Sequence, residues 1–395
     1  MVVGTCGHKL KPVDEFSSEN KRQVDKPDTQ PTFVTKPYLP PLGELMPSLE
    51  KIWESRVLTN GGPFHQQFET ELCKHLGVKY VSLFNNATIA LITALQALEI
   101  TGEVITTPFS FVATSHSLMW NKITPVFVDI DETTLNLDPC KIEAAITPRT
   151  TAIMPVHCYG NPCDVDAIDV IAKRHNLKVV YDAAHAFGVE CHCGSVLNHG
   201  DLTVLSFHAT KVFNTFEGGA IVSSDIKTKT QIDYLKNFGH NGETSVISVG
   251  INGKMNEFNA ALGLLQLKYV DDLILQRKEI ALEYQLRLKG VRGIRIVGPF
   301  GQEKANYSYF PILITDEFRI SRDELYESLK SEGIHTRRYF YPLISEFPMY
   351  QHIKSSGTDN HPVAFGVSNQ ILCLPIYPGL ESSIIKNICD HISCC

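Results

Sequence analysis

The chain has 395 residues, 43% of them hydrophobic and 20% charged, with a formal net charge of −7. That is an ordinary globular balance, long enough for one large domain and a smaller one. The acidic sign excludes a general binder of nucleic-acid backbones, though not a local basic pocket for a phosphorylated ligand.

No run of about 18 apolar residues marks a membrane span, and the N-terminal stretch lacks the apolar core of a signal. Eleven cysteines without dense, regular spacing fit free thiols in a reducing compartment. A cytoplasmic protein is expected.

Residues 1–31, with "SSENKRQVDKPDTQP", carry no amphipathic period and read as a flexible extension. Cys6 and His8 are two potential ligands without partners there, too few for a metal. From about residue 43 the pattern alternates. "ELMPSLEKIWES" and "QQFETELCKHL" predict helices, "KYVSLF" a strand, "ATIALITALQAL" a helix, "EVITT" a strand and "FVATSHSLMW" a helix. "TPVFVDI", "TAIMPVH" and "KVVYDAA" predict strands, separated by the helical "DPCKIEAAI" and "DVDAIDVIAKRH". Such alternation argues for an α/β fold, a mostly parallel sheet with helices on both faces.

Then "LTVLSF" and "GAIVSS" predict two strands joined by a loop. A long helical stretch is expected over 256–288. Strands near "IRIV", "YSYFPILI", "IHTRRY" and "ILCLP", with helices at "SRDELYESLKSEG" and "SSIIKNICDHI", predict a small α+β unit. The expected organisation is an extension over 1–31, a large domain over 32–255, a connecting helix over 256–289 and a small domain over 290–395.

Sites on open parallel sheets lie beyond the carboxyl ends of the strands, and four such ends carry suggestive residues. Asp182 closes "KVVYD", where a carboxylate after apolar neighbours needs a partner or neutralises; an N-cap is the simpler reading of Asp182 alone. "FNNAT" (84–88) opens a helix whose free N–H groups suit a phosphate, with plain capping by Asn85 or Asn86 as the alternative. Phe109 and Phe111 in "TTPFSFVAT" (106–114) offer a cover for a flat ligand or two core rings. Lys211, after "LSFHAT", is either a surface charge or a desolvated, nucleophilic amine. Neither a Walker A motif nor GxGxxG is present, which speaks against a triphosphate or a nicotinamide dinucleotide.

Taken together, a phosphate cradle, an aromatic cover, a buried aspartate and a lysine describe one cofactor, pyridoxal phosphate. Its aldehyde takes a lysine, and its pyridine nitrogen takes a carboxylate.

"YDAAHAFG", "SFHATK", "EGGAIVSSD" and "NGKMNEFNAALGLLQL" resemble the DegT/DnrJ/EryC1/StrS sugar aminotransferases over roughly residues 33–395. The resemblance implies the aspartate aminotransferase-like fold (fold type I of the pyridoxal phosphate transferases) and a homodimer with active sites at the subunit interface. It implies that Lys211 bonds the cofactor and carries the proton, and that Asp182 pairs with the pyridine nitrogen. Ala87, Thr88 and Ser206 would contact the phosphate, Phe111 would stack on the ring, and His185 would lie near the phenolic oxygen. Asn252 would reach the phosphate from the neighbouring subunit.

For a nucleotide-sugar substrate, Lys254, Arg337 and Arg338 are candidate diphosphate partners. Tyr339 and Tyr341 either line the sugar or belong to the small domain's core. Asn60 lies in "LTNGGP", a turn by composition that in the family lies near the substrate. Within the family, "FVTKPYLPPLGELMPSLEKIWESRVLTNGGP" is similar to members acting on dTDP-4-keto-6-deoxyglucose in surface-polysaccharide (O-antigen) synthesis, with L-glutamate as amino donor. Amination at C3, a UDP- or GDP-sugar, or a non-catalytic cofactor-binding regulator are the alternatives. Two departures stand out. "NNAT" replaces the family's more usual Gly-Thr pattern, and "ECHCGSVLNHGD" (190–201) is unusual. Cys191, His192 and Cys193 in the latter pack ligands more tightly than an ordinary zinc site and read as a loop with chance thiols, so no metal is expected.

Overall fold

In the computed structural model, which describes residues 31–299 and 303–395, the expected alternation forms a seven-stranded sheet. The predicted extension lies outside the described residues up to residue 30. After a short strand β1 (Thr32–Phe33), helices α1 (Leu42–Ser55) and α2 (Pro63–Leu76) lead into β2 (Tyr80–Phe84) and α3 (Ala87–Ala97). There follow β3 (Glu103–Thr106), α4 (Ala113–Trp120), β4 (Thr124–Phe127), α5 (Pro139–Ala145), β5 (Thr150–Ile153), α6 (Val165–His175) and β6 (Lys178–Asp182). A hairpin of β7 (Glu190–Cys191) and β8 (Gly194–Ser195) precedes β9 (Leu202–Ser206) and β10 (Gly219–Ser223).

The large sheet has the order β2-β10-β9-β6-β5-β3-β4. Strand β10 runs antiparallel to both its neighbours, and every other pair is parallel. Its central strands are almost wholly buried, as strands covered by helices on both faces must be. The registers set Phe84 and Ser206 against Gly219, and Asp182 against Val204. The carboxyl ends of β2, β9 and β6 therefore share one edge.

Beyond it come α7 (Ile226–Leu235), α8 (Glu257–Gln266), α9 (Val270–Leu288), β11 (Ile294–Ile296), β12 (Phe310–Ile314), α10 (Arg322–Ser331) and β13 (Ile334–His335). The chain closes with α11 (Pro362–Gln370), β14 (Ile371–Leu374) and α12 (Ser382–Cys394). Strands β11, β12 and β14 form an antiparallel sheet, and its core includes Tyr284, Leu325, Leu329 and Ile388. Residues 31–395 make one compact unit.

Several elements differ from expectation, among them α11, which no predicted helix anticipated. The stretch 256–288 is two helices, because Lys268 and Tyr269 donate back only three residues, to the carbonyls of Leu265 and Gln266. That tightening ends α8, and Asp271 and Asp272 then sit in the first turn of α9, where carboxylates favour a fresh start. Helix α7 was not anticipated: "IKTKTQIDYL" has little apolar period, and its N-cap Asp225 accepts from Thr228 N–H instead. "IHTRRY" narrows to Ile334–His335, which pairs with β1.

Candidate active site

The shared edge opens into a cavity of about 250 Å³. Ala87, Thr88, Phe111, Asp182, His185, Ser206 and Lys211 all line it, with Tyr339. Residues from five separate stretches thus converge where a parallel sheet places its ligands.

Asp182 ends β6 and is buried. Its Oδ2 accepts from the Thr114 hydroxyl at 2.8 Å and its Oδ1 from the Ala184 N–H at 3.1 Å. Burial pushes its pKa up, against the pull of these two donors and of Lys211. Thr114 is itself held by Ser110 Oγ at 2.8 Å.

Lys211 is half-buried and faces the cavity. Its N–H donates to the His208 carbonyl at 2.9 Å, which fixes the turn after β9. Burial lowers its pKa to about 8, with Asp182 pulling the other way. At neutral pH roughly a tenth of such amines are unprotonated and nucleophilic.

Asn86 has a defined place: it is the N-cap of α3, and its Oδ1 accepts from Ile89 N–H at 2.9 Å. The N–H groups of Ala87 and Thr88, in the first turn, have no intrahelical acceptor, and both residues line the cavity with Ser206. Gly219 lets β10 run against this helix start, since a Cβ there would meet Ala87 N at 2.7 Å.

His185 is buried, and its Nδ1 accepts from Tyr159 N–H at 3.3 Å. That bond assigns the proton of the neutral ring to Nε2. Burial, helped by Lys211, holds its pKa well below the ordinary value, so it is an uncharged donor at pH 7. Its ring lies parallel to Phe340, with centroids 6.1 Å apart.

The two phenylalanines in the turn after β3 divide. Phe109 is fully buried against Tyr159 and Phe340, whereas Phe111 is 58% exposed over the cavity.

Other expected residues lie elsewhere. Asn252 bridges Asn237, and Lys254 bridges Phe84 while donating to Asn237 Oδ1 at 2.8 Å. Asn60 sits in a turn with φ +63°. Tyr341 packs under the Arg322 guanidinium, 4.6 Å from its ring centroid, and Arg338 is paired with Asp323 at 2.7 Å. None of these lines the cavity of its own chain. Arg337 is exposed, and its charge reaches Tyr339 at the cavity wall.

Sequence reasoning missed Thr114, Tyr309 and Phe340. Thr114 had a signal, since it stands one helical turn beyond Ser110 within "TTPFSFVAT". Tyr309 and Phe340 come from distant stretches that no local pattern links to the site.

The residues present fit pyridoxal phosphate. An open helix end with an adjacent hydroxyl suits its phosphate, a buried carboxylate held by two donors suits a pyridinium, and a lysine of lowered proton affinity suits an aldehyde.

Comparison with known proteins agrees. Residues 43–393 match the DegT/DnrJ/EryC1/StrS aminotransferase family. The chain is 57% identical over 363 residues to a dTDP-4-amino-4,6-dideoxy-D-glucose transaminase of Shigella dysenteriae, covering 92% of this chain and 98% of the relative. It is 56% identical to a transaminase of the same name from Escherichia coli, covering 90% and 96%. Among solved structures, DesI in the presence of its TDP-sugar product superposes with a TM-score of 0.88 at 35% identity, covering 93% of each chain.

Proposed function

We infer that this chain, which belongs to the DegT/DnrJ/EryC1/StrS aminotransferase family, is a pyridoxal-phosphate-dependent sugar 4-aminotransferase. Its proposed reaction converts dTDP-4-keto-6-deoxy-D-glucose to dTDP-4-amino-4,6-dideoxy-D-glucose, with L-glutamate as donor, for surface polysaccharide synthesis in the cytoplasm. One observation carries the reading: Lys211, Asp182 and the open start of α3 share a single cavity.

What pyridoxal phosphate supplies there, when bound, is an electron sink and a carbonyl that carries the amine between two substrates. The chain's own residues do the rest. Ala87 and Thr88 N–H groups and the Ser206 hydroxyl hold the phosphate. Asp182, whose charge Thr114 and the Ala184 N–H favour against the opposing effect of burial, would hold the ring nitrogen protonated. His185, with its proton on Nε2, would serve as a donor to the phenolic oxygen, and Phe111 would cover the ring. Lys211 Nζ takes a proton from the donor's α-carbon and later returns one to the sugar carbon. A pKa of about 8 suits a group that must act as base and as acid near neutral pH.

We assign Asn252, Lys254 and Asn60 to the cavity of a second copy in a homodimer. Their absence from their own chain's cavity supports this, as does the exposure of apolar neighbours such as Leu58 and Val249. Arg337, whose charge reaches Tyr339 at the cavity wall, is the proposed diphosphate contact.

The test is turnover with a panel of nucleotide keto-sugars and L-glutamate, reading 2-oxoglutarate and the amino sugar. The dTDP-4-keto sugar should give the highest kcat/KM and an amine at C4. Cofactor binding with no turnover of any keto-sugar would overturn the reading.

A further inference from the structure

The unusual "ECHCGSVLNHGD" stretch lies between β6 and β9, away from the cavity that Ser206 lines at the far end of β9. Cys191 pairs with Gly194 across the β7–β8 hairpin, so His192 and Cys193 form its two-residue turn. Gly194 takes φ +99° there. This turn brings the two sulfurs within 3.2 Å.

Read along the sequence, C-H-C offers too little reach around one ion. The fold adds His199, from the segment entering β9. Its Nε2 lies 3.2 Å from Cys193 Sγ and 3.6 Å from Cys191 Sγ. Cys191, His192 and Cys193 also place one ligand atom each within 4.8 Å of one another. Zinc at about 2.3 Å from sulfur and 2.0–2.1 Å from nitrogen requires tetrahedral ligand atoms roughly 3.4–3.8 Å apart. The sulfur and His199 distances are close to that face of a tetrahedron.

His192 is the candidate for a fourth ligand. His192 turns Nε2 toward Asp166 Oδ2 at 3.4 Å, leaving Nδ1 to coordinate. A carboxylate behind a histidine is the usual means of orienting a metal-bound imidazole.

We propose that Cys191, Cys193, His199 and His192 form a binding site for a thiolate-preferring divalent cation of the zinc class, which ties the β7–β8 hairpin to the lead-in of β9. Binding releases two thiol protons to solvent as the sulfurs coordinate. With four protein ligands the site is closed, so its role is structural.

The experiment uses the full-length holoenzyme, reduced and stripped of metal by a chelator. Zn²⁺ is titrated in competition with a chromogenic chelator, and Co²⁺ is added in parallel. One Zn²⁺ per chain should bind, and Co²⁺ should develop thiolate charge-transfer and tetrahedral d–d bands. Cys191→Ser with Cys193→Ser should abolish both signals while leaving transaminase turnover unchanged. His199→Ala and Asp166→Asn should each weaken Zn²⁺ by about 10–100-fold. A Cys394→Ser, Cys395→Ser variant should bind like the parent. Equal Zn²⁺ binding by the Cys191/Cys193 variant would overturn the proposal. So would a Cys191–Cys193 disulfide that persists in metal-free protein under reductant. Should the double serine variant not fold, His199→Ala and Asp166→Asn decide the matter through the Co²⁺ spectrum.

Discussion

Two clusters of charge lie within the large sheet's surroundings, and they are built on opposite plans. Under β2 and α7, Lys229 reaches Glu69 at 3.0 Å and Asp233 at 2.7 Å, while Lys236 reaches the same carboxylates at 3.2 and 2.8 Å. Ser82 and the Leu83 N–H complete the oxygens' partners. Both carboxylates are held below their usual pKa, although burial opposes this, and Lys229 is raised. At the cavity, Asp182 is pushed up and Lys211 down to about 8. The first cluster compensates its charges and fixes them, whereas the second leaves them short of partners and poised to exchange protons. Under-compensation marks the reactive pair.

The sharpest way to break the contrast is Lys211→Ala. Transamination should fall by at least about 10³-fold, with folding intact because the lost amine is poorly solvated. In the parent, the rate at which the cofactor-free protein takes up pyridoxal phosphate covalently should rise with pH and level off above about 8. The free amine is the reactive form, and its pKa has moved down. A midpoint near 10.5 would show that Lys211 is an ordinary surface lysine.

Next in size, Asp182→Asn should lower kcat by about 10²–10³-fold. The same change should raise the melting temperature of the cofactor-free protein at neutral pH. The sign follows from linkage: a raised folded pKa means the folded chain holds a proton that the unfolded chain has lost, so stability falls as pH rises through that interval. Asn removes the burden. A melting temperature that drops instead would place Asp182 among the compensated charges.

Glu69→Gln tests the other cluster. It strips the buried Lys236 and the half-buried Lys229 of a shared partner and should cost about 3 kcal/mol in denaturant unfolding, with kcat unchanged. The contribution of Glu69 and Asp233 should be present at neutral pH and disappear as pH falls through their depressed values. A loss within the range of exposed pairs, below about 1 kcal/mol, would make the network ornamental.

How much of this was legible beforehand depends on sequence distance. Asp182 could be read because a carboxylate ends a strand of apolar residues, and Asn86 because it precedes a helix. The compensated cluster could not, since Glu69, Asp233 and Lys236 are ordinary helix-surface residues until α2 and α7 meet across β2. Tyr309 and Phe340 reach the cavity from the C-terminal part of the chain, and no local period announces them. His199 was invisible for a related reason: the hairpin turn, not the spacing, folds Cys191 and Cys193 back toward it. Helix boundaries failed where propensity gave way to a three-residue turn, as at Lys268 and Tyr269.

The smallest predicted effect concerns the link between the two plans, the single hydroxyl that moves Asp182 part-way toward compensation. Thr114 donates to Oδ2 at 2.8 Å and touches no cavity surface itself, so it acts by positioning and by charge. Thr114→Val keeps the shape and removes the donor, leaving the Ala184 N–H as the one remaining hydrogen bond. Hydrogen bonds to a charged group are worth about 1.5–3 kcal/mol, and 1.36 kcal/mol is one pKa unit. The Asp182 pKa should therefore rise further, and the acid limb of the kcat profile should move up by about one pH unit. Activity on the alkaline side, where the carboxylate is ionised in either protein, should change little. Thr114→Ser should restore the original limb. A uniform loss at every pH, not rescued by serine, would mean that Thr114 serves packing alone and that the charge on Asp182 is governed by burial and Lys211.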